Sequence, residues 1–311
     1  MKAIRFHQYG DADVLRYEDV DTVQPGRGEV RVRVAATSFN SVDANIRAGN
    51  MQGPMPLTLP HTPGLDVAGT VDALGDDVTG WRVGDRVVGF LPFTVDGAAA
   101  EQVVVDAAAL TAAPTSIPLS DAAALPLVGL TAWQAVHEHA AIEAGQRILV
   151  NGASGAVGRY AVQIAAAAGA HVVATGGSDA RDHLLALGAQ QVVDHTRGDV
   201  PSQVSEPVDV VLNLAPVTPD ELTALAGLVK DGGVVVNTTV WMPAPSDEAR
   251  GVRGIDLYVR SDARQLAELV DRVDRGQMVV DVEETVALVD LPAVHARAAA
   301  GQLTGKVVVA P

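Results

Sequence analysis

The stretch Asn151-Gly152-Ala153-Ser154-Gly155-Ala156-Val157-Gly158 limits what this chain can fold into more than any other. It follows a short apolar run, Ile148 to Asn151, and precedes Val157 to Ala168, which has helical composition. Between a strand and a helix, glycines at this spacing do separate jobs. One permits a tight turn, one lets the backbone approach a pyrophosphate, and the last lets the helix pack closely on the sheet. The start of the helix then presents unpaired N–H groups to the anion. Taken alone, the motif also fits a turn of purely structural use.

The flanking texture favours the first reading. Strand candidates at His171 to Thr175, Gln191 to Asp194, Val208 to Asn213 and Val234 to Thr238 alternate with helical stretches at Ala180 to Leu187 and Glu221 to Val229. That alternation predicts right-handed βαβ units and a parallel sheet covered on both faces. Upstream, from Met1 to about Ala112, the chain is rich in Val and turn residues. Strands are expected there at Val30 to Ala35, Val67 to Ala73, Arg86 to Phe90 and Ala100 to Val105, as in a partly open barrel or sandwich. Ser120 is placed to cap the helix that the Ala-rich stretch Asp121 to Leu125 begins. After Ser261 a helix carrying Leu266, Leu269, Val270 and Val273 leads into strands at Met278 to Glu283 and Lys306 to Val309. The expected fold is α/β: a Rossmann-type, doubly wound parallel sheet over 118–260, inserted between two pieces of a β-rich domain, 1–117 and 261–311.

The tip of the second strand of the nucleotide-type domain bears on cofactor choice. A site for NADH usually places Asp or Glu there, on the ribose hydroxyls. Here the tip reads Thr175-Gly176-Gly177-Ser178. Ser178 and Arg181 are available to a 2′-phosphate, which favours NADPH. Asp179 and Arg181 also have ordinary readings, as a first-turn helix carboxylate and a solvated helix residue.

Composition closes other routes. With 22 Lys plus Arg against 38 Asp plus Glu, the formal charge of −16 repels nucleic acid. No apolar run approaches the roughly 18 residues of a membrane span. The first residues read as a strand rather than a targeting segment, so a cytoplasmic location is expected. Zero cysteines exclude disulfides, thiolate nucleophiles and cysteine-ligated zinc. His137 and His139, at i and i+2, would sit on different sides of a helix, and no metal site is expected.

Several landmarks stand in a fixed order: Asn40-Ser41-Val42-Asp43 with Arg47 and Gly49; Pro63-Gly64-Leu65-Asp66 with Gly69; Gly84-Asp85-Arg86-Val87; Gly129-Leu130-Thr131-Ala132; the glycine turn; Leu187-Gly188-Ala189; and Gly305-Lys306-Val307-Val308. In these the chain resembles the zinc-independent, zeta-crystallin-like quinone oxidoreductases of the medium-chain dehydrogenase/reductase family, from end to end. The resemblance implies a GroES-like catalytic domain made of both chain ends, a Rossmann domain between them, and a homodimer. It also implies Asn40 and Thr131 near the nicotinamide, as the catalytic candidates. The candidate cofactor-binding set is Gly152, Ala153, Ser154, Gly155, Ala156, Val157, Gly158, Thr175, Gly176, Ser178, Arg181, Asn213 and Lys306. Zinc-dependent relatives hold metal with a cysteine and a His-Glu pair, and here the corresponding segments contain Ser38 to Asp43 and Gly64-Leu65-Asp66. Quinone reductases of this type often carry tyrosines near the substrate, where this chain has Asn45 and Met51.

The expected activity is NADPH-dependent hydride transfer to a quinone or another conjugated carbonyl, with the cofactor carrying the chemistry. An enoyl reductase acting on a particular C=C bond, and a non-catalytic NADPH-binding protein with a structural or sensing role, are the alternatives. The oxygen that gains negative charge needs a donor: Asn40, Thr131, a backbone N–H or the cofactor ribose. Asp43 and Arg47, four apart on a short helix, read as an ion pair or as catalytic groups.

Overall fold

Alternation of valine with charged residues builds the first sheet. In Glu29-Val30-Arg31-Val32-Arg33-Val34 the three valines are buried and Arg33 is exposed, the two-residue period of a strand with one face on a core. The structure, a computed structural model, describes residues 1–53, 55–239 and 241–311. Its first part contains β1 (Lys2–Phe6), β2 (Leu15–Asp19), β3 (Glu29–Ser38), helix α1 (Ser41–Ala48), β4 (Asp66–Leu74), β5 (Arg86–Phe90), β6 (Gln102–Asp106) and β7 (Leu110–Ala112). The middle runs through α2 (Pro126–Trp133), β8 (Arg147–Asn151), α3 (Ala156–Ala167), β9 (His171–Gly176), α4 (Arg181–Ala186) and β10 (Gln191–Asp194). It continues through α5 (Val200–Gln203), β11 (Val208–Asn213), α6 (Pro219–Ala226), β12 (Val229–Asn237) and β13 (Arg253–Asp256). The chain ends with α7 (Ala263–Asp274), β14 (Glu284–Ala287), α8 (Leu291–Ala299) and β15 (Val307–Ala310).

These elements fall into two units, Met1–Leu127 with Ser261–Pro311, and Val128–Arg260. In the first, one sheet runs β14-β15-β3-β4-β5-β7 with β6 added on β3, while β1 pairs with β2. Its core is a valine cluster that includes Val30, Val32, Val67, Val71, Val87 and Val103. The returning C-terminal strand belongs to this sheet. Val308 and Val309 pair antiparallel with Ser38 and Thr37, which sets Lys306 beside the end of β3. Helix α7 buries the four residues expected of it, Leu266, Leu269, Val270 and Val273.

The second unit is a parallel sheet of order β10-β9-β8-β11-β12-β13. Order reverses between β8 and β11, the switch point at whose carboxyl ends doubly wound sheets bind ligands. β8 and β11 read as nearly continuous apolar runs because both faces are covered. Their core joins Leu149, Val173, Val211, Leu222 and Val235.

Three local expectations shift. The strand expected at Met278 to Glu283 forms instead at Glu284–Ala287, because its partner β15 begins only at Val307 and the two pair from Glu284 opposite Val307. The helix expected to begin in Asp121 to Leu125 opens as a tight 3₁₀ turn, Asp121–Ala124, and becomes α-helical only in α2. The unit boundary falls after Leu127 rather than after residue 117. The three alanines of the 3₁₀ turn are buried in the first unit, and the Leu127 N–H donates to the Asp66 carboxylate at 2.7 Å.

Candidate cofactor and catalytic sites

At the carboxyl end of β8 the chain turns sharply at Gly152, with φ +86°. A side chain there would be strained, and its Cβ would lie 3.0 Å from Ala215 N. At Gly158 a Cβ would sit 2.3 Å from the Gly152 carbonyl oxygen and 2.5 Å from Ala153 Cα, so only glycine lets α3 pack this close. Gly155 differs. Its Cβ would touch nothing nearer than the Gly152 oxygen at 3.4 Å, and packing alone does not demand a glycine. The open side at Gly155 is room for a ligand.

The N–H groups around this turn divide into used and unused. Gly152 N donates to the Thr175 hydroxyl at 2.8 Å, and Gly155 N to the Gly152 carbonyl at 3.1 Å. In the first turn of α3, the N–H groups of Ala156, Val157 and Gly158 have no hydrogen-bond partner among the described residues. They carry the positive end of the helix dipole, a geometry suited to an anion. Arg159 Nε braces the turn from behind by donating to the Ser154 carbonyl at 3.0 Å. Ala153 is fully buried and contributes packing.

The tip of β9 carries no carboxylate. Ser178 and Arg181 are exposed there, though Arg181 Nη1 also folds back onto the Val192 carbonyl at 3.3 Å. Thr175, expected to touch cofactor, is buried with its hydroxyl committed. It accepts from Gly152 N and donates to Asn151 Oδ1 at 3.0 Å.

Thr175 is the first rung of a neutral side-chain ladder across the carboxyl edge of the sheet. Asn151 Nδ2 donates to Asn213 Oδ1 at 2.8 Å, and Asn213 Nδ2 to Asn237 Oδ1 at 2.9 Å. Asn237 Nδ2 donates to the carbonyls of Thr239 at 3.1 Å and Met242 at 2.6 Å. Every donor points the same way, from the glycine turn across the switch point, so each bond polarises the next. Asn213, another expected cofactor ligand, is 0% exposed and spends its amide inside the ladder. Sequence reasoning missed Asn151 and Asn237 as partners. The available signal was that three strands each end in asparagine.

In the first unit the landmarks Asn40, Asp43, Asp66 and Lys306 converge. Asn40 follows β3 and caps α1, where Asp43 reaches back so that its carboxylate accepts from Asn40 N at 3.1 Å and from Gly64 N at 3.1 Å. The Asp66 carboxylate accepts from Asn40 Nδ2 at 2.8 Å, from Leu127 N, from Lys306 Nζ at 3.3 Å and, in a short contact, from the Ser38 hydroxyl. Lys306 Nζ also donates to Phe39 O at 3.1 Å and Asn40 Oδ1 at 2.5 Å. Lys306 was expected at the cofactor. Its ammonium is instead 2% exposed and surrounded by this cluster. Burial lowers its pKa against the pull of Asp66 and Asp43. Burial also pushes the Asp43 carboxyl up to about 7, with the Asp66 charge adding to the shift and the Gly64 N–H opposing it.

Asp43 does not pair with Arg47. Its carboxylate is turned toward the helix start, while Arg47 Nε and Nη1 are buried without a partner among the described residues. Thr131, the other catalytic candidate, lies buried in α2 of the second unit.

Residues 26–115 match the alcohol dehydrogenase GroES-like domain family, and residues 187–309 match the family described as zinc-binding dehydrogenase. A chloroplastic quinone oxidoreductase of Triphysaria versicolor is 30% identical over 329 residues, taking in 100% of this chain and 98% of that protein. The chain belongs to the quinone oxidoreductase group of the medium-chain dehydrogenase/reductase family. Among solved structures, the quinone oxidoreductase of Pseudomonas syringae pv. Tomato DC3000 matches with a TM-score of 0.88 and 30% identity over 100% of this chain and 99% of that one. An NAD-dependent alcohol dehydrogenase matches with a TM-score of 0.91 and 28% identity, each chain covered to 100%.

The zinc implied by one family description does not suit the residues this quinone oxidoreductase relative offers. There is no cysteine. Asp66, the carboxylate in the relevant segment, already faces the Lys306 ammonium at 3.3 Å, a cation that would repel a second one. No helix among the described residues is long and apolar enough to cross a membrane.

Proposed function

We propose that the chain binds NADPH and passes hydride to a quinone or another conjugated carbonyl without the help of zinc. The observation that carries this reading is the start of α3: three N–H groups beside Gly155 without a partner among the described residues, with an open side at Gly155 that leaves room for a diphosphate. That anion site lies at the carboxyl end of the strand flanking the switch point, where a doubly wound sheet takes a dinucleotide.

When bound, the nicotinamide supplies the hydride. Ala156, Val157 and Gly158 would hold the pyrophosphate through their backbone. Ser178 and Arg181 would take the 2′-phosphate at a tip where no carboxylate repels it. The ladder through Thr175, Asn151 and Asn213 would keep the turn in place without touching cofactor. The family resemblance gives Asn40 and Thr131 as the candidate donors to the reacting carbonyl, where negative charge builds on oxygen. Water would deliver the proton. The absence of cysteine and the engagement of Asp66 by Lys306 support a mechanism without a metal Lewis acid. A homodimer belongs to the same proposal and is checked by light scattering.

Loss of the reduced nicotinamide absorbance, followed over quinones, enones, enals and enoyl thioesters after exhaustive chelation, tests the proposal. The expected result is turnover of quinones or conjugated carbonyls, faster with NADPH than with NADH and unchanged by the chelator. Turnover confined to an enoyl thioester would make the chain an enoyl reductase, and binding without turnover a cofactor-binding protein. Gly155→Val should fold and weaken NADPH binding by about tenfold or more, equivalent to ~1.4 kcal/mol. Unchanged affinity in that variant would remove the glycine turn from the site.

A further inference from the structure

We propose that Lys306 and Asp66 are positioning residues that lock the Asn40 amide in one orientation, as a hydrogen-bond donor to the substrate oxygen on which negative charge builds. The inference rests on the hydride-transfer reading above and adds the two groups that make Asn40 competent for it.

An asparagine amide presents an acceptor on one side and a donor on the other, and a half-turn exchanges them. At Asn40 that exchange is blocked from both sides. Oδ1 lies 2.5 Å from the Lys306 ammonium, which can only donate, and Nδ2 lies 2.8 Å from the Asp66 carboxylate, which can only accept. Rotating the amide would set two donors against each other and two acceptors against each other, in an interior where neither clash is screened. The backbone of Asn40 is held as well, by the Asp43 carboxylate on its N–H.

The two flanking groups have no capacity left for a substrate. Lys306 spends its three protons on Phe39 O, Asn40 Oδ1 and Asp66 Oδ2. Both Asp66 oxygens accept, one from Leu127 N and the other from Ser38, Asn40 and Lys306. Lys306 and Asp66 are 2% and 0% exposed, whereas Asn40 keeps 5%. One Nδ2 hydrogen of Asn40 goes to Asp66, and its second has no partner among the described residues. The cluster thus surrounds one side chain and leaves it a single unspent donor. An ammonium drawing on the amide oxygen also makes the amide hydrogens better donors to a developing oxyanion. A pair that only tied β15 to β3 would have no need of the amide between its charges.

The test uses 4-nitrophenol bound in the presence of NADP⁺, because its absorbance reports whether the bound phenol is ionised, and a donor aimed at its oxygen favours the phenolate. In wild type the bound pKa should lie below the solution value. Asn40→Ala should abolish that depression and lower kcat for quinone or enone about 100-fold, the scale of losing one oxyanion donor. Lys306→Met should remove most of the depression and lower kcat about tenfold with KM little changed, because orientation and polarisation are lost while the amide remains. If Lys306→Met does not fold, Lys306→Gln paired with Asp66→Asn keeps the volume and leaves the amide free to turn. Lys306→Arg, which still donates to Oδ1, should recover most of the wild-type behaviour. Wild-type ionisation and kcat in a folded Lys306→Met protein, or in the neutral double variant, would overturn the proposal while leaving the reductase reading intact. A wild-type protein inert over the whole substrate panel would instead sink the reading on which it rests.

Discussion

Each unit of this protein buries a polar network, and the two are built from opposite materials. In the second unit Thr175, Asn151, Asn213 and Asn237 form a neutral ladder in which each amide oxygen meets a donor. In the first, Asp43, Asp66 and Lys306 are ionisable groups, each less than 4% exposed. Desolvating a charge is far costlier than desolvating an amide, so the charged cluster holds only while its members are all present, whereas the ladder holds by local pairing. A neutral network fixes a turn by geometry alone, while a network of buried charges depends on their electrostatic balance.

The largest effect should follow from uncovering a charge. Asp66→Leu leaves the Lys306 ammonium buried without its carboxylate and should remove about 4 kcal/mol of unfolding free energy, read by urea denaturation. Adding Lys306→Met should restore part of that loss, since the double variant buries no bare charge. Equal stabilities for single and double variants would mean that the cluster's charge is not what makes it fragile.

Breaking the ladder should do less. Asn213→Ala strands Asn151 Nδ2 in the interior, while Asn237 Oδ1 keeps the Thr239 hydroxyl, a loss of ~1–3 kcal/mol. It should be the same at about pH 5.5 and about pH 8.5, because no rung titrates in that range. A pH-dependent loss would contradict the contrast drawn between the units.

The pH response should belong to the first unit. Asp43 is raised to about 7 by burial, so its contribution to stability is complete below about pH 4 and is lost as pH rises toward 7. His295 is lowered to about 3, chiefly by burial and further by the Arg47 charge. Its ring nitrogens have no partner among the described residues. Its contribution is therefore present above about pH 6.5 and lost as pH falls. Between about pH 4 and 6.5 the two slopes oppose, and single variants should expose them. Asp43→Asn should gain on wild type as pH rises through that window, and His295→Phe should gain as pH falls, each at ~1.4 kcal/mol per pH unit. Parallel curves for wild type and both variants would show that neither group is as dehydrated as its burial implies.

The smallest effect is expected at the second unit's rim. Arg181 is exposed and partly turned onto Val192 O, so Arg181→Ala should raise the NADPH dissociation constant by only about three- to tenfold and leave NADH nearly unchanged. Added salt should shrink the difference. Equal losses for both cofactors would take Arg181 away from the 2′-phosphate.

How much of this could be read before the fold was known differs between the two networks. The glycine turn was legible because such a turn is local: strand, glycines and helix are contiguous, and Gly152 and Gly158 show in the structure the steric constraints their spacing implies. The four apolar residues of α7 were legible for the same reason, a period of 3.6 along one helix. Thr175 and Asn213 were recognised as special positions, but their hydrogen bonds to Asn151 and Asn237 were not. Their neighbours depend on strand order, and β8 meets β11 across some 60 residues of intervening chain.

The sequence by itself determined the parallel-sheet core, the insertion of one unit into the other and the place of the glycine turn, because hydrophobic period and turn chemistry act over a few residues. Only the tertiary structure decided that Lys306 is buried against Asn40 and Asp66. Hydrogen bonds and ion pairs reach about 3 Å, so what a buried charge does depends on which distant strand is folded against it. Here that is β15, returning to pair with the end of β3.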